Sequence, residues 1–204
     1  MAWIFSLSAE CGSDESNAHK FAQHFEGVSW LLSNGRHCQC HTDIFQDIEE
    51  NWWCRVSPSN LSEVGIDSPE SAYSMTELGI LLYQSLRFAP PFRYALVGVE
   101  VDEFRTYSEL IEESSNLSIP GLVLAKPLEQ ELGILPVLRP FSSSYVWQPY
   151  AGEVYNPLMA SQNLKNKLNE LLKLTSQAKT ASVAKEDRLT FLSFRTVLPE
   201  VISP

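Results

Sequence analysis

Basic side chains are scarce in this chain of 204 residues: 15 lysines and arginines stand against 25 aspartates and glutamates, a net charge of −10. Binding nucleic acid means neutralising phosphates with a basic surface, and an anionic membrane surface makes the same demand, so neither partner is expected. Glycine is sparse as well, at nine residues. No P-loop, G-x-G-x-x-G, EF-hand loop or G-x-S-x-G elbow occurs, which argues against nucleotide chemistry and against the familiar serine-hydrolase elbow. No run approaches the ~20 apolar residues that span a bilayer. The start, Met1 to Cys11, has no basic n-region, its apolar stretch is short, and Glu10 before Cys11 does not fit a lipoprotein cleavage site. The expected location is the cytoplasm. The four cysteines (Cys11, Cys38, Cys40, Cys54) are too few and too irregularly spaced for a disulfide framework and are expected to be reduced.

What is present is a core: 44% of residues are hydrophobic and 20% charged, the balance of a folded globular chain. Trp3 to Leu7 reads as a first strand. Ser13-Asp-Glu opens a helix, and Ala18, Phe21, Ala22 and Phe25 form its apolar stripe. His19 and His24 fall largely on its polar side. Val28 to Ser33 and Arg36 to Thr42 flank Asn34-Gly35, the strongest short hairpin signal. A two-residue turn would set Leu32 opposite His37, Leu31 opposite Cys38 and Trp30 opposite Gln39, so that the apolar face of one strand meets the polar face of the other. Residues 43–51 read as a loop or one helical turn, and Trp52 to Val56 as a strand. Ser68-Pro69-Glu70 starts a second helix, with Ala72, Met75, Leu78, Gly79, Leu82 and Leu86 buried. Tyr94 to Val101 is apolar on both faces, as a central strand is.

The order strand, helix, strand, strand, helix, strand is that of a ferredoxin-like split βαβ unit. The expected fold is therefore α+β, a mixed sheet with ferredoxin-like βαββαβ order in the first half and an α/β extension towards the C-terminus. Strand 94–101, helix 106–115 and strand 122–125 would form a right-handed parallel crossover. The stretch 127–140 reads as irregular, and Tyr145 to Gln148 as a further strand. Residues 1–160 form the body, with 8 basic and 21 acidic side chains. Residues 161–204, with 7 basic and 4 acidic, comprise a helix, a polar linker and a returning strand expected to dock on that body.

Three sets of residues bear on function. His37-Cys38-Gln39-Cys40-His41 invites a metal reading. On a strand the two histidines lie about 13 Å apart, so only Cys38 and Cys40 share a face, with Cys54 the natural third ligand. The plainer expectation is buried thiols with no metal and no cofactor. Glu100 and Asp102, on one face at the end of a central strand, are weak catalytic candidates together with His37 or His41. Trp52, Tyr150 and Tyr155 are candidate anchors for a partner. The expected function is non-catalytic binding of another protein, basic in character, by an inhibitor, immunity, adaptor or assembly factor. The alternative is an enzyme using strand-end carboxylates with a histidine, in metal-assisted hydrolysis or acid/base chemistry.

Overall fold

The computed structural model describes residues 4–61, 65–102, 104–114, 117–133, 137–153 and 166. Strand β1 (Phe5–Glu10) leads into helix α1 (Glu15–Phe25), whose N-cap Asp14 accepts a hydrogen bond from the Ser16 amide. Strands β2 (Ser29–Leu31), β3 (His37–Gln46) and β4 (Trp52–Pro58) follow as a meander. Helix α2 (Pro69–Leu86) starts on a reciprocal capping box between Ser68 and Ser71, with Pro69 in the first turn where its missing N–H costs nothing. Strand β5 (Tyr94–Val99), helix α3 (Tyr107–Glu112), strand β6 (Val123–Ala125), helix α4 (Lys126–Leu132) and strands β7 (Arg139–Pro140) and β8 (Tyr145–Trp147) complete the order.

The sheet runs β2-β3-β4-β1-β5-β6-β8-β7. Its inner part, β3-β4-β1-β5, is the ferredoxin-like arrangement of the βαββαβ order, with the short β2 added at one side and β6-β8-β7 at the other. Helices α1 and α2 cover one face. Phe5, Leu7 and Ala9 of β1, Cys54 and Val56 of β4, and Ala95 and Val97 of β5 point into that layer and meet Phe21, Phe25, Met75 and Leu82. A second core lies on the opposite face. There Trp53, Tyr94, Leu96, Leu124 and Val146 are roofed by Leu110, Leu128, Leu132 and the chain around Leu117 and Leu122.

Four expectations are corrected. Among the described residues all the strand pairs are antiparallel, including β5 with β6, so the expected parallel crossover is not formed and the sheet described is antiparallel rather than mixed. Glu100 takes a left-handed backbone (φ 56°) immediately after β5, and α3 then lies over the face opposite α1 and α2 as part of the second core. Residues 43–46 extend β3, and only 47–51 turn, held by the Asp47 carboxylate, which accepts from the Glu49 and Asn51 amides. The proline-punctuated stretch contains α4, with Pro127 in its first turn.

The hairpin exists, but its register differs by one residue. Ser29 pairs with Gln39, Trp30 with Cys38 and Leu31 with His37. Leu32 and Arg36 close a three-residue loop in which the Gly35 amide donates to the Leu32 carbonyl, and Gly35 (φ 80°) takes the left-handed position that such a loop requires. This slip reverses which faces meet. Trp30 now lies with Cys38 on the helix side, and the expected clash of apolar and polar faces disappears. Of the helix, linker and returning strand read in 161–204, only residue 166 is among the described residues, and it is helical. Among the described residues no helix is long and apolar enough to cross a membrane.

Candidate functional site

Strand alternation gives the sheet face opposite α1 and α2 its chemistry. From β3 it receives His37, Gln39, His41 and Asp43, from β4 Arg55 and Ser57, and from β1 Ser6, Ser8 and Glu10. The part near β5 and β6 is roofed by the second core. The part over β3 and β4 is open, and His37, Gln39, His41 and Asp43 are all exposed.

Asp102 folds back over β1. It accepts from the Ser8 hydroxyl at 2.9 Å and the Ser6 hydroxyl at 3.4 Å, and it takes Arg55 Nη1 at 2.6 Å. Arg55 reaches the other way to Asp43, at 3.0 Å from Nη2. The two serines are buried beneath this bridge, which satisfies hydroxyls that would otherwise cost about 1–3 kcal/mol each. Asp102 is thereby committed to neutralising an arginine. Glu100 is committed to the amide of Ile4, which donates to its Oε1 at 2.8 Å. Because β5 is antiparallel to both neighbours, the rule that places catalytic groups at the end of a parallel strand does not apply here.

His41 has a different carboxylate. Glu26, at the C-terminus of α1, accepts from both the Thr42 amide (2.8 Å) and the Thr42 hydroxyl (2.6 Å) through Oε2. Its Oε1 lies 3.8 Å from His41 Nδ1. Ser57 is the residue directly opposite His41 on β4. Paired residues of this kind share a face with Cβ atoms about 5 Å apart. His41 thus has the Glu26 carboxylate beside its ring and Ser57 as its neighbour on β4. His37 is also exposed, but it pairs with Leu31 at the far end of β3.

The thiols do not make a site. Cys38 and Cys40 are buried on the helix side, and Cys54 pairs with Ile44, four residues further along β3 from Cys40, or about 13 Å. Among the described residues no group of three or more His, Cys, Asp or Glu side chains is placed to hold a metal ion. Burial pushes the thiols of Cys40 and Cys54 up to about 12, and raises those of Cys11 and Cys38. All four are free. Since the thiolate is the reactive form, none is expected to react with a thiol-specific disulfide reagent at pH 7.5 in the folded protein, and all four are expected to react in denaturant. Titration of thiols in the two conditions checks this; one fast thiol in the native protein contradicts it.

Of the expected aromatic anchors, Trp52 is half-buried against the helix-side core. Tyr150 is buried, with its hydroxyl donating to Glu153, so its ring belongs to the protein's own packing. Tyr155 lies outside the described residues. His24 also departs from expectation. It is half-buried, in contact with the Ser85 carbonyl of α2 at 3.1 Å and edge-on to Phe25, whereas His19 is exposed. Glu26 and Ser57 were not singled out by the sequence. Only the docking of α1 beside β3 and the β3–β4 register bring them to His41.

Comparison with protein-family models, with curated proteins and with solved structures finds no match.

Proposed function

We propose that the open half of the face opposite α1 and α2 carries out acid/base chemistry, with His41 as the proton-transferring group, Glu26 as the carboxylate that orients it and Ser57 as the hydroxyl it activates. The observation that carries this reading is the anchored contact between Glu26 and His41, with Ser57 paired opposite. Glu26 is fixed by two hydrogen bonds before it meets the imidazole, so it can orient the ring. Ser57 Oγ then attacks an acyl or phosphoryl centre, His41 takes the hydroxyl proton, and the same proton is returned to the leaving group. The histidine is one of those expected from the sequence. Its carboxylate is a helix-terminal glutamate rather than Glu100 or Asp102.

A fluorophosphonate ester tests this without knowledge of the substrate. Ser57 Oγ displaces fluoride and forms a stable phosphonyl ester that intact-protein and peptide mass measurements locate. Labelling at Ser57 is expected, abolished in Ser57→Ala and slowed about 10²–10⁴-fold in His41→Gln. No labelling, or equal labelling of His41→Gln, overturns the reading.

A second reading, capture of a basic protein, is supported by the way cations are spent. Arg55, Arg93 and Arg105 all sit on carboxylates of the chain itself. Exposed Glu109 and Glu112 of α3 have Glu49 beside them, at the Ser108 amide, and Glu131, at the Tyr107 hydroxyl. A stoichiometric partner lost at high salt and retained by Ser57→Ala distinguishes this reading from the first.

A further inference from the structure

Residues 149–153 close the described body against α2. The Tyr150 ring lies over Gly79, where a Cβ would stand 2.7 Å from its hydroxyl oxygen, so the close approach depends on glycine. The Tyr150 hydroxyl donates to Glu153 Oε1 at 2.8 Å. The Glu153 amide donates to Thr76 Oγ1 at 2.8 Å, and that hydroxyl passes its own proton to the Ala72 carbonyl at 2.7 Å. Gly152 (φ 86°) turns the chain tightly over Thr76.

The Glu153 carboxyl is thereby set between α2 and β5. The titratable groups facing it are Tyr150 from its own segment and Tyr83 from α2. From β5 it meets bare Gly98, where a Cβ would lie 3.8 Å from Oε1. Tyr83 is itself tied down, since its hydroxyl accepts the Val97 amide at 3.1 Å and its ring stands 5.1 Å from that of Tyr150. A carboxyl in such a seat is easier to bury neutral than charged.

We propose that Glu153 is the pH-sensitive pin of a clasp that fastens residues 149–153 to α2, closed when the carboxyl is neutral and loosened when it ionises. Burial raises its pKa above the ordinary 4.5, against a smaller lowering by the Tyr150 hydroxyl. A raised folded-state value contributes stability that is complete below pH 4.5 and is lost as pH rises through the raised value. Opening uncovers the Gly79 and Tyr83 surface of α2. The clasp does not depend on the catalytic reading of His41.

Hydrogen exchange of the full chain between pH 5 and 8, corrected for intrinsic rates and read by mass spectrometry, tests it. Amides 150–153 are expected to lose protection with rising pH, at up to tenfold per pH unit between 4.5 and the raised value and levelling off above it, while β1 amides stay protected. In Glu153→Gln the same amides are expected to show no pH dependence. In Tyr150→Phe, which removes the hydrogen bond to the carboxylate and keeps the ring, the midpoint is expected to fall at higher pH. Wild-type protection that is flat with pH overturns the clasp whatever the variants do. So does a pH dependence that persists unchanged in Glu153→Gln.

Discussion

Replacing Arg93 by methionine is expected to cost about 3–5 kcal/mol of stability at neutral pH, the range for breaking a buried ion pair from one side. Glu10 ends the central strand β1 and has no exposed surface. Arg93 grips it with Nε on Oε2 and Nη2 on Oε1, the latter at 2.6 Å, and the Gly12 amide donates at 2.8 Å. The guanidinium also lies 4.2 Å from the centre of the Tyr107 ring, so it ties β1 to the start of α3. Even with these partners Glu10 titrates above the ordinary 4.5, because burial outweighs the hydrogen bonds and charge of Arg93. Without Arg93 its ionisation inside the fold becomes dearer still. The sign follows from linkage: the variant's deficit is largest at neutral pH and shrinks as pH falls towards the range where Glu10 is protonated in both states. Urea unfolding at pH 7 and pH 5 measures both. The paired variant, with Glu10→Gln added, is expected to regain most of the loss, since the buried charge is then gone. A deficit below 1 kcal/mol at pH 7, or one independent of pH, would mean that the pair is not what holds the end of β1.

Truncating Trp53 to alanine is expected to be comparably severe, about 3–5 kcal/mol for a large buried aromatic. The indole is fully buried. It stands edge-on to Tyr94 and Phe104, and stacks on Phe45. Its Nε1–H donates to Asp47 Oδ2 at 2.8 Å. The other oxygen of the same carboxylate closes the β3–β4 turn, so the loss reaches beyond packing to the turn itself. Trp53→Phe separates the two contributions. It keeps most of the volume and leaves Asp47 short of one donor, so about 1–3 kcal/mol is expected. Equal costs for the two variants would show that the hydrogen bond, not the packing, dominates.

The sequence patterns that were local and redundant read correctly. The caps of α1 and α2, their apolar stripes and the βαββαβ order needed only helical spacing and turn chemistry, and they fix the ferredoxin-like half. What failed depended on information held elsewhere in the chain. Asn34-Gly35 signals a hairpin, yet whether Gly35 ends a three-residue loop or sits within a two-residue one depends on which face of β2 is buried in the helix-side core. The segment after Val99 was long enough for a crossover of either sense. Its direction was decided by the left-handed Glu100 and by Asp102 bonding back to Ser6 and Ser8, neither of which leaves a pattern in the sequence. The candidate site was half legible for the same reason. His41 stood out by residue type, but Glu26 lies fifteen positions before it and Ser57 sixteen after, and both are brought to it by docking and register.

The two borders of the sheet carry a last consequence. An unpaired border strand is a template on which another chain can add, and long apolar borders lead to fibrils. Here the sheet is bordered by the three residues of β2 and the two of β7, and Pro140 in β7 has no N–H to offer. β5 bonds to β1 along its whole length and to β6 at Tyr94 and Ala95. Among the described residues, strand addition at either end of the order therefore meets a ladder of only two or three residues.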